Sequence, residues 1–152
     1  MNKFGTKSQN VLSTIDVRLG RAAQCVLKIR DFAVLSGARY AEEQNELFVE
    51  GVSKKRWPDS KHNRDSDGVI LQRGSGRRAG AIDIAPWNTE QRVQIPWEDH
   101  KAFIHLAGAF EMACDAEGIK VRWGGNWDMD EIIMDDQTFQ DLGHFEIVGE
   151  IQ

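Results

Sequence analysis

Four histidines are spread along the sequence, and two of them stand where an imidazole could do chemistry. His100 and His105 are five apart in a helical segment, about 140° around its axis, so they cannot grip one ion together and read as surface or boundary residues. His62, in SKH, and His144, in GHFE, lie in irregular or strand-edge settings beside polar residues. Asp83 interrupts the apolar run AIDIA, where an unpaired carboxylate costs on the order of several kcal/mol. Its simpler reading is a sheet-edge residue facing water. Two His and one Asp also form a recognised catalytic zinc set, with water in the open fourth position. Zinc brings the pKa of that water down to about 7. A carboxylate must then take the proton and hand it to the leaving amine.

The stretch DLGHFEI, residues 141–147, offers two such carboxylates. Alternation along a strand puts His144 and Glu146 on one face and turns Phe145 inward. Asp141 precedes a Leu142-Gly143 bend and can fold back over the same face. Asp141 is therefore the candidate proton carrier and Glu146 the reserve. From these seven residues alone, a solvated surface pair is the simpler reading.

The elements that must position these residues are legible from periodicity. Val11, Ile15, Leu19, Ala22, Val26 and Ile29 recur at helical spacing, and with Ser8 as N-cap they predict a helix over residues 9–29. DFAVLSG predicts a short buried strand, and AEEQNELFVEG a helix stopped by Gly51. Residues 52–80 are polar and aperiodic, a long loop of the kind that is functional or disordered. AGAIDIAP is a strand closed by Pro86, and PWEDHKAFIHLAGAFEMACDAEG a helix stopped by Gly118. IKVRW and GHFEIVGEI are the last strands, separated by the acidic stretch GNWDMDEIIMDDQ. Helices and strands mix without a βαβ repeat, which favours α+β.

The 152 residues suit one domain, residues 1–152, with no separate wall-binding module visible. A net charge of −5 gives no general attraction to phosphate, so nucleic acid is not an expected partner. No apolar run reaches membrane-spanning length and the first residues, MNKFGTKSQN, lack a signal-peptide core, so the chain is expected to stay in the cytoplasm where it is made. A monomer is expected. Cys25 and Cys114 read as reduced core thiols. GSGRRAG follows no strand and opens no helix, so it is no phosphate loop. In the acidic stretch, Asn126, Asp128 and Asp130 occupy positions 1, 3 and 5 of a calcium-loop pattern, with Asp136 near its end. Glu131 replaces the turn glycine and Gln137 the final Glu, so a solvated acidic loop is preferred and Ca²⁺ is the alternative.

FAVLSGARYAEEQNELFVEG, SKH, GAIDIAP, VRWGGNW and DLGHFEI stand in an order that resembles the zinc D-alanyl-D-alanine carboxypeptidase and vancomycin-resistance dipeptidase family. The match runs from about Phe32 to Ile147. WGGNW and the short length look most like the phage L-alanyl-D-glutamate endolysin branch. The resemblance implies a hedgehog/D-Ala-D-Ala peptidase-like fold, a small antiparallel sheet with flanking helices and zinc in a cleft on the sheet. It puts Zn²⁺ on His62, Asp83 and His144, the catalytic carboxylate on Asp141, and an oxyanion-stabilising arginine on Arg39. Ser36, Gln44, Ser60, Trp123 and Trp127 become candidate cleft residues. It implies cleavage of peptidoglycan stem peptides by a phage or prophage lysis enzyme that acts on the wall after release. A D-alanyl-D-alanine carboxypeptidase or dipeptidase, and a non-catalytic zinc-site binding module, are the alternatives. One departure stands out: many relatives separate the first His from the Asp by about six residues, whereas here 83 − 62 = 21. The excess, around residues 63–78, is polar and Gly-containing, as an inserted surface loop should be.

Overall fold

The expected first helix is two helices. A computed structural model, describing residues 1–87 and 95–151, places α1 at Thr6–Leu12 and α2 at Val17–Leu27. The intervening residues are drawn out to pair with a segment far along the chain. Ile15 bridges Ala79 in parallel, Asp16 N–H donates to the Ala79 carbonyl and Ala79 N–H to that of Thr14. Asp16 then caps α2, its carboxylate accepting from the Arg18 backbone N–H at 2.9 Å. Local periodicity ran through the break because its cause lies about sixty residues away.

The remaining elements are β1 (Phe32–Ser36), α3 (Ala41–Val49), a 3₁₀ turn (Lys61–Asn63), β2 (Ala81–Pro86), α4 (His100–Ala116), β3 (Ile119–Gly124) and β4 (Asp141–Glu150). Gly51 and Gly118 follow α3 and α4 with φ of 76° and 78°, the left-handed stop that glycine adopts without strain. The strands form one antiparallel sheet in the order β1-β2-β4-β3. This is the small α+β sheet with flanking helices that the sequence predicts.

One face of the sheet carries Ile82, Ile84, Phe145 and Ile147, all buried. Leu19, Ala22, Ala23 and Val26 of α2 and Phe103, Leu106, Ala107 and Phe110 of α4 complete the core. The Phe110 and Phe145 rings pack 4.7 Å apart. Since β-strand side chains alternate, this packing turns the chain neighbours of Ile82 and Phe145 outward. Asp83 on β2 lies directly opposite His144 on β4, and Ala81 opposite Glu146. The central strands thus carry a polar line on the face away from the core.

Two sequence expectations fail here. Cys114 is buried as expected, but Cys25 is exposed, on the outer side of α2. Trp123, a candidate cleft residue, is 3% exposed and packs in the core, stacked over Phe145 with its indole N–H donating to the Leu142 carbonyl. It belongs to the inward face of β3, which alternation fixes once the register with β4 is known.

Candidate metal centre and its cleft

His62 lies in the long loop, yet its position is closely fixed. The 3₁₀ turn is held by a reciprocal cap: the Ser60 hydroxyl accepts from His62 N–H and the Asn63 side-chain oxygen accepts from Ser60 N–H. Asn63 is completely buried, and its amide donates to the Arg39 carbonyl and to the Gln44 side chain. Gln44 is also completely buried and donates to Ser53 Oγ and the Lys55 carbonyl. Gln44 therefore ties α3 to the loop from beneath and does not line the cleft, contrary to expectation. Asn63 was not singled out, although S-x-x-N at 60–63 is a legible capping signal.

His62 Nδ1–H donates to the Gly37 carbonyl at 2.7 Å, which leaves Nε2 facing Asp83 Oδ1 at 3.1 Å. His144 Nδ1 approaches the same Oδ1 at 3.0 Å, and its Nε2 meets Glu146 Oε1 at 3.1 Å. The three donor atoms lie within 4.8 Å of one another. Four ligands at metal distances of 2.0–2.1 Å stand about 3.3 Å apart on a tetrahedron. The observed spacings to Asp83 fall just short of that, so small rotations would open the triad around one ion. Both rings also have a second nitrogen held by an acceptor, as metal-binding histidines do. This donor set fits a metal ion. The 21-residue separation does not disturb it, because Gly80 N–H returns to the Arg64 carbonyl and Leu71, buried, returns to that of Asn63.

Asp83 divides its oxygens. Oδ1 serves the two imidazoles, and Oδ2 accepts from Arg39 Nη2 at 3.0 Å. Arg39 is itself held by Ser36 Oγ at 2.9 Å. Burial opposes charge on Asp83, but His62 and His144 outweigh it and keep the carboxyl well below its usual range. Burial likewise opposes charge on His144, and the bonds to Asp83 and Glu146 overcome it, taking the pKa up to about 9. A metal ion at this ring would compete with a proton. Glu146 is buried, paired with Arg122 at 3.1 Å, and its pKa falls to about 2 because His144 and Arg122 outweigh its burial. Asp141 differs. It stands exposed at the rim, and desolvation by the cleft wall and then the Asp83 charge raise its pKa.

Two cavities meet at this centre, sharing Arg39, Asp83 and Asp141. The first, about 290 Å³, adds Ser60, Lys54, Lys61, Trp127 and Phe139; the second, about 490 Å³, adds Ser36, Leu35, Trp97 and Phe103. Ser60 and Trp127 line the first cavity and Ser36 the second. Phe139, stacked on Trp127, was not anticipated. Asp141 starts β4 itself and pairs with Gly124 while Phe145 pairs with Trp123, so the register shifts across residues 142–144, where the sequence predicts a bend. A Cβ on Gly124 would collide with the Asp141 carbonyl, so the glycine pair in WGGNW lets β4 approach closely there. His100, exposed, lines the second cavity, and His105 touches Arg30 away from the centre.

Asp128, Asp130 and Asp136 also bring carboxylates within 4.8 Å, all three exposed. The Asn126 amide donates to the Asp130 carbonyl. Desolvation and the charges of Asp128 and Asp130 raise the Asp136 pKa, the mark of crowded like charges.

Residues 1–148 match the family of phage L-alanyl-D-glutamate peptidases. The chain belongs to that family. A relative, the L-alanyl-D-glutamate peptidase of Escherichia phage T5, is 29% identical over 150 residues, covering 96% of this chain and 98% of the phage protein. Among solved structures, the Serratia marcescens L-Ala D-Glu endopeptidase ChiX superposes with a TM-score of 0.67 at 23% identity, covering 95% of this chain and 88% of that one. It supports the fold. Vancomycin resistance D,D-dipeptidase VanXYg, solved with a D-Ala-D-Ala phosphinate analogue, has a TM-score of 0.43 at 20% identity, covering 89% of this chain and 51% of its own. That likeness is too distant to bear on the site. Family membership makes this chain a peptidase. Among the described residues, no helix is long and apolar enough to cross a membrane.

Proposed function

We propose that the chain is a zinc peptidase that cleaves the L-alanyl-D-glutamate bond of peptidoglycan stem peptides, as a phage or prophage lysis enzyme. The observation that carries it is the convergence of His62 Nε2 and His144 Nδ1 on Asp83 Oδ1, in a cleft rimmed by a carboxylate, in a member of this peptidase family. Zinc on His62, Asp83 and His144 would supply a polarising charge for the scissile carbonyl and an acidified water. Asp141, above the triad, takes a proton at its carboxylate and returns it to the leaving nitrogen; its raised pKa suits a group that must both accept and give. Arg39 holds Asp83 in place, and its charge, lining both cavities, favours negative charge growing on the carbonyl oxygen.

A binding module that kept the metal site would have no need of a carboxylate at the rim, so Asp141 speaks for catalysis. Residues 1–152 are taken as one catalytic domain, acting as a monomer on the cell wall after release from the cytoplasm. Asp128, Asp130 and Asp136 are exposed, and water satisfies their carboxylates without calcium.

The test is bound-metal analysis of the purified protein together with Asp141→Ala, with peptidoglycan as substrate. One zinc per chain, retained in Asp141→Ala while release of new amino termini stops, supports the reading. Mass spectrometry of the fragments then separates L-alanyl-D-glutamate cleavage from D-alanyl-D-alanine cleavage. Absence of zinc, or activity that survives without Asp141, overturns it.

A further inference from the structure

The scissile bond proposed above has a leaving side with unusual chemistry. Glutamate has two carboxyl groups, and inside a peptide only one of them continues the chain. The other stays ionised at neutral pH, within about 5 Å of the scissile nitrogen whichever carboxyl is used. A carboxylate taken into a partly desolvated cleft has to meet a cation or lose affinity.

Among the described residues, four lysines and arginines line the first cavity: Arg39, Lys54, Lys55 and Lys61. Arg39 is committed to Asp83 and Ser36. The Lys54 ammonium lies 4.0 Å over the Phe139 ring. Phe139 stacks on Trp127, and Trp127 meets His144 at a tilt of 38°, with centroid steps of 6.1 and 5.7 Å. Lys54 is thus two rings out from the centre, and Lys55 adjoins it on the same outer strap. Lys61 is different. It precedes His62 in the capped 3₁₀ turn, and its Nζ stands 4.0 Å from Glu146 Oε2, at the limit of an ion pair. Glu146 already has closer partners in Arg122 and His144, both at 3.1 Å. Its negative charge is therefore balanced without Lys61, whose side chain is 43% exposed and lines the cavity.

We propose that Lys61 determines specificity by binding the spare carboxylate of the substrate's D-glutamate, so that the leaving half lies toward Lys61 and the alanyl half toward the second cavity. The second cavity agrees with this polarity. Beyond the shared centre its wall includes, among the described residues, Leu35, Ile84, Phe103 and Leu142, apolar surfaces suited to an alanyl methyl group, and no lysine. Ordering of the turn by Ser60 and Asn63 holds the Lys61 backbone in place before substrate arrives, which limits the entropy lost on binding.

The inference rests on the peptidase reading, and the test separates the two. Two synthetic stem peptides are compared with the zinc-loaded enzyme, one with the spare carboxylate free and one with it converted to the primary amide. Wild type is expected to favour the free acid about tenfold in kcat/KM, mostly through KM, the scale of one charged hydrogen bond. Lys61→Gln is expected to bring the acid-to-amide ratio near unity, Lys61→Arg to retain it, and Lys54→Gln to leave it as in wild type. Because the readout is a ratio within one enzyme, partial unfolding does not move it. A wild type that does not distinguish the peptides, or a Lys61→Gln enzyme that keeps the preference or loses both substrates alike, overturns the assignment. Cleavage of neither peptide by wild type would instead strike the peptidase reading itself.

Discussion

Asp141 is the residue where chemistry and stability pull apart. Its pKa is raised by cleft desolvation and by Asp83, so its charged form is disfavoured in the folded chain. A carboxyl with a raised folded pKa weakens folding once the pH exceeds its unfolded value, near 3.8. Asp141→Asn should therefore abolish hydrolysis while leaving the thermal midpoint unchanged or slightly higher at pH 7, measured by calorimetry beside an activity assay. A marked drop in the midpoint would show that the carboxylate holds structure instead. At this scale the sequence was informative where a residue stood out from its surroundings. Asp83 showed itself as a charge in an apolar run, and His62 and His144 by elimination among four histidines. Asn63 and Gln44, both completely buried, gave no such anomaly, since an amide in a polar loop or on an exposed-looking helix is unremarkable until its partners are known. Glu146 could be placed on the His144 face by alternation, but its burial depends on Arg122, which only the β3–β4 register brings across.

The elements were legible where their causes are local. α4, β1 and β2 follow from periodicity and end signals, whereas the break at residues 13–16 is imposed by Ala79. That break creates the cap at Asp16, which burial opposes and the Arg18 hydrogen bonds overcome, lowering its pKa. A lowered carboxyl stabilises the fold above its unfolded value, near 3.8, and loses that contribution as the pH falls through the folded one. Asp16→Ala should cost about 1 kcal/mol at pH 7, or about 2–4 °C in Tm, and the gap from wild type should narrow in acid. A gap that does not change with pH would remove the cap from the explanation. The strand crossing at Gly124 makes a second prediction. Gly124→Ala forces its methyl group against the Asp141 backbone, so kcat should fall at least tenfold while zinc content stays near one per chain. Unchanged kcat would mean that Asp141 does not need this close approach.

For the whole molecule, the metal site gathers the 3₁₀ turn, β2 and β4, with β1 behind it through Ser36 and Arg39. An ion bound to all three ligands binds the folded chain and not the unfolded one. At free zinc a thousandfold above Kd the stabilisation is about 4 kcal/mol, on the order of 10 °C in Tm for a chain of this size. Adding a chelator should lower the midpoint by that amount and zinc should restore it; equal midpoints with and without chelator would count against a ligand set of this reach. The long excursion between His62 and Asp83 bears on a different matter. Its tip, residues 72–78, is exposed and its two ends are hydrogen-bonded together, so its length is uncoupled from the geometry of the centre. It is a surface excursion where added length would leave the spacing of His62 and Asp83 unchanged, so the centre sets no limit on how far the chain travels between its two ligands.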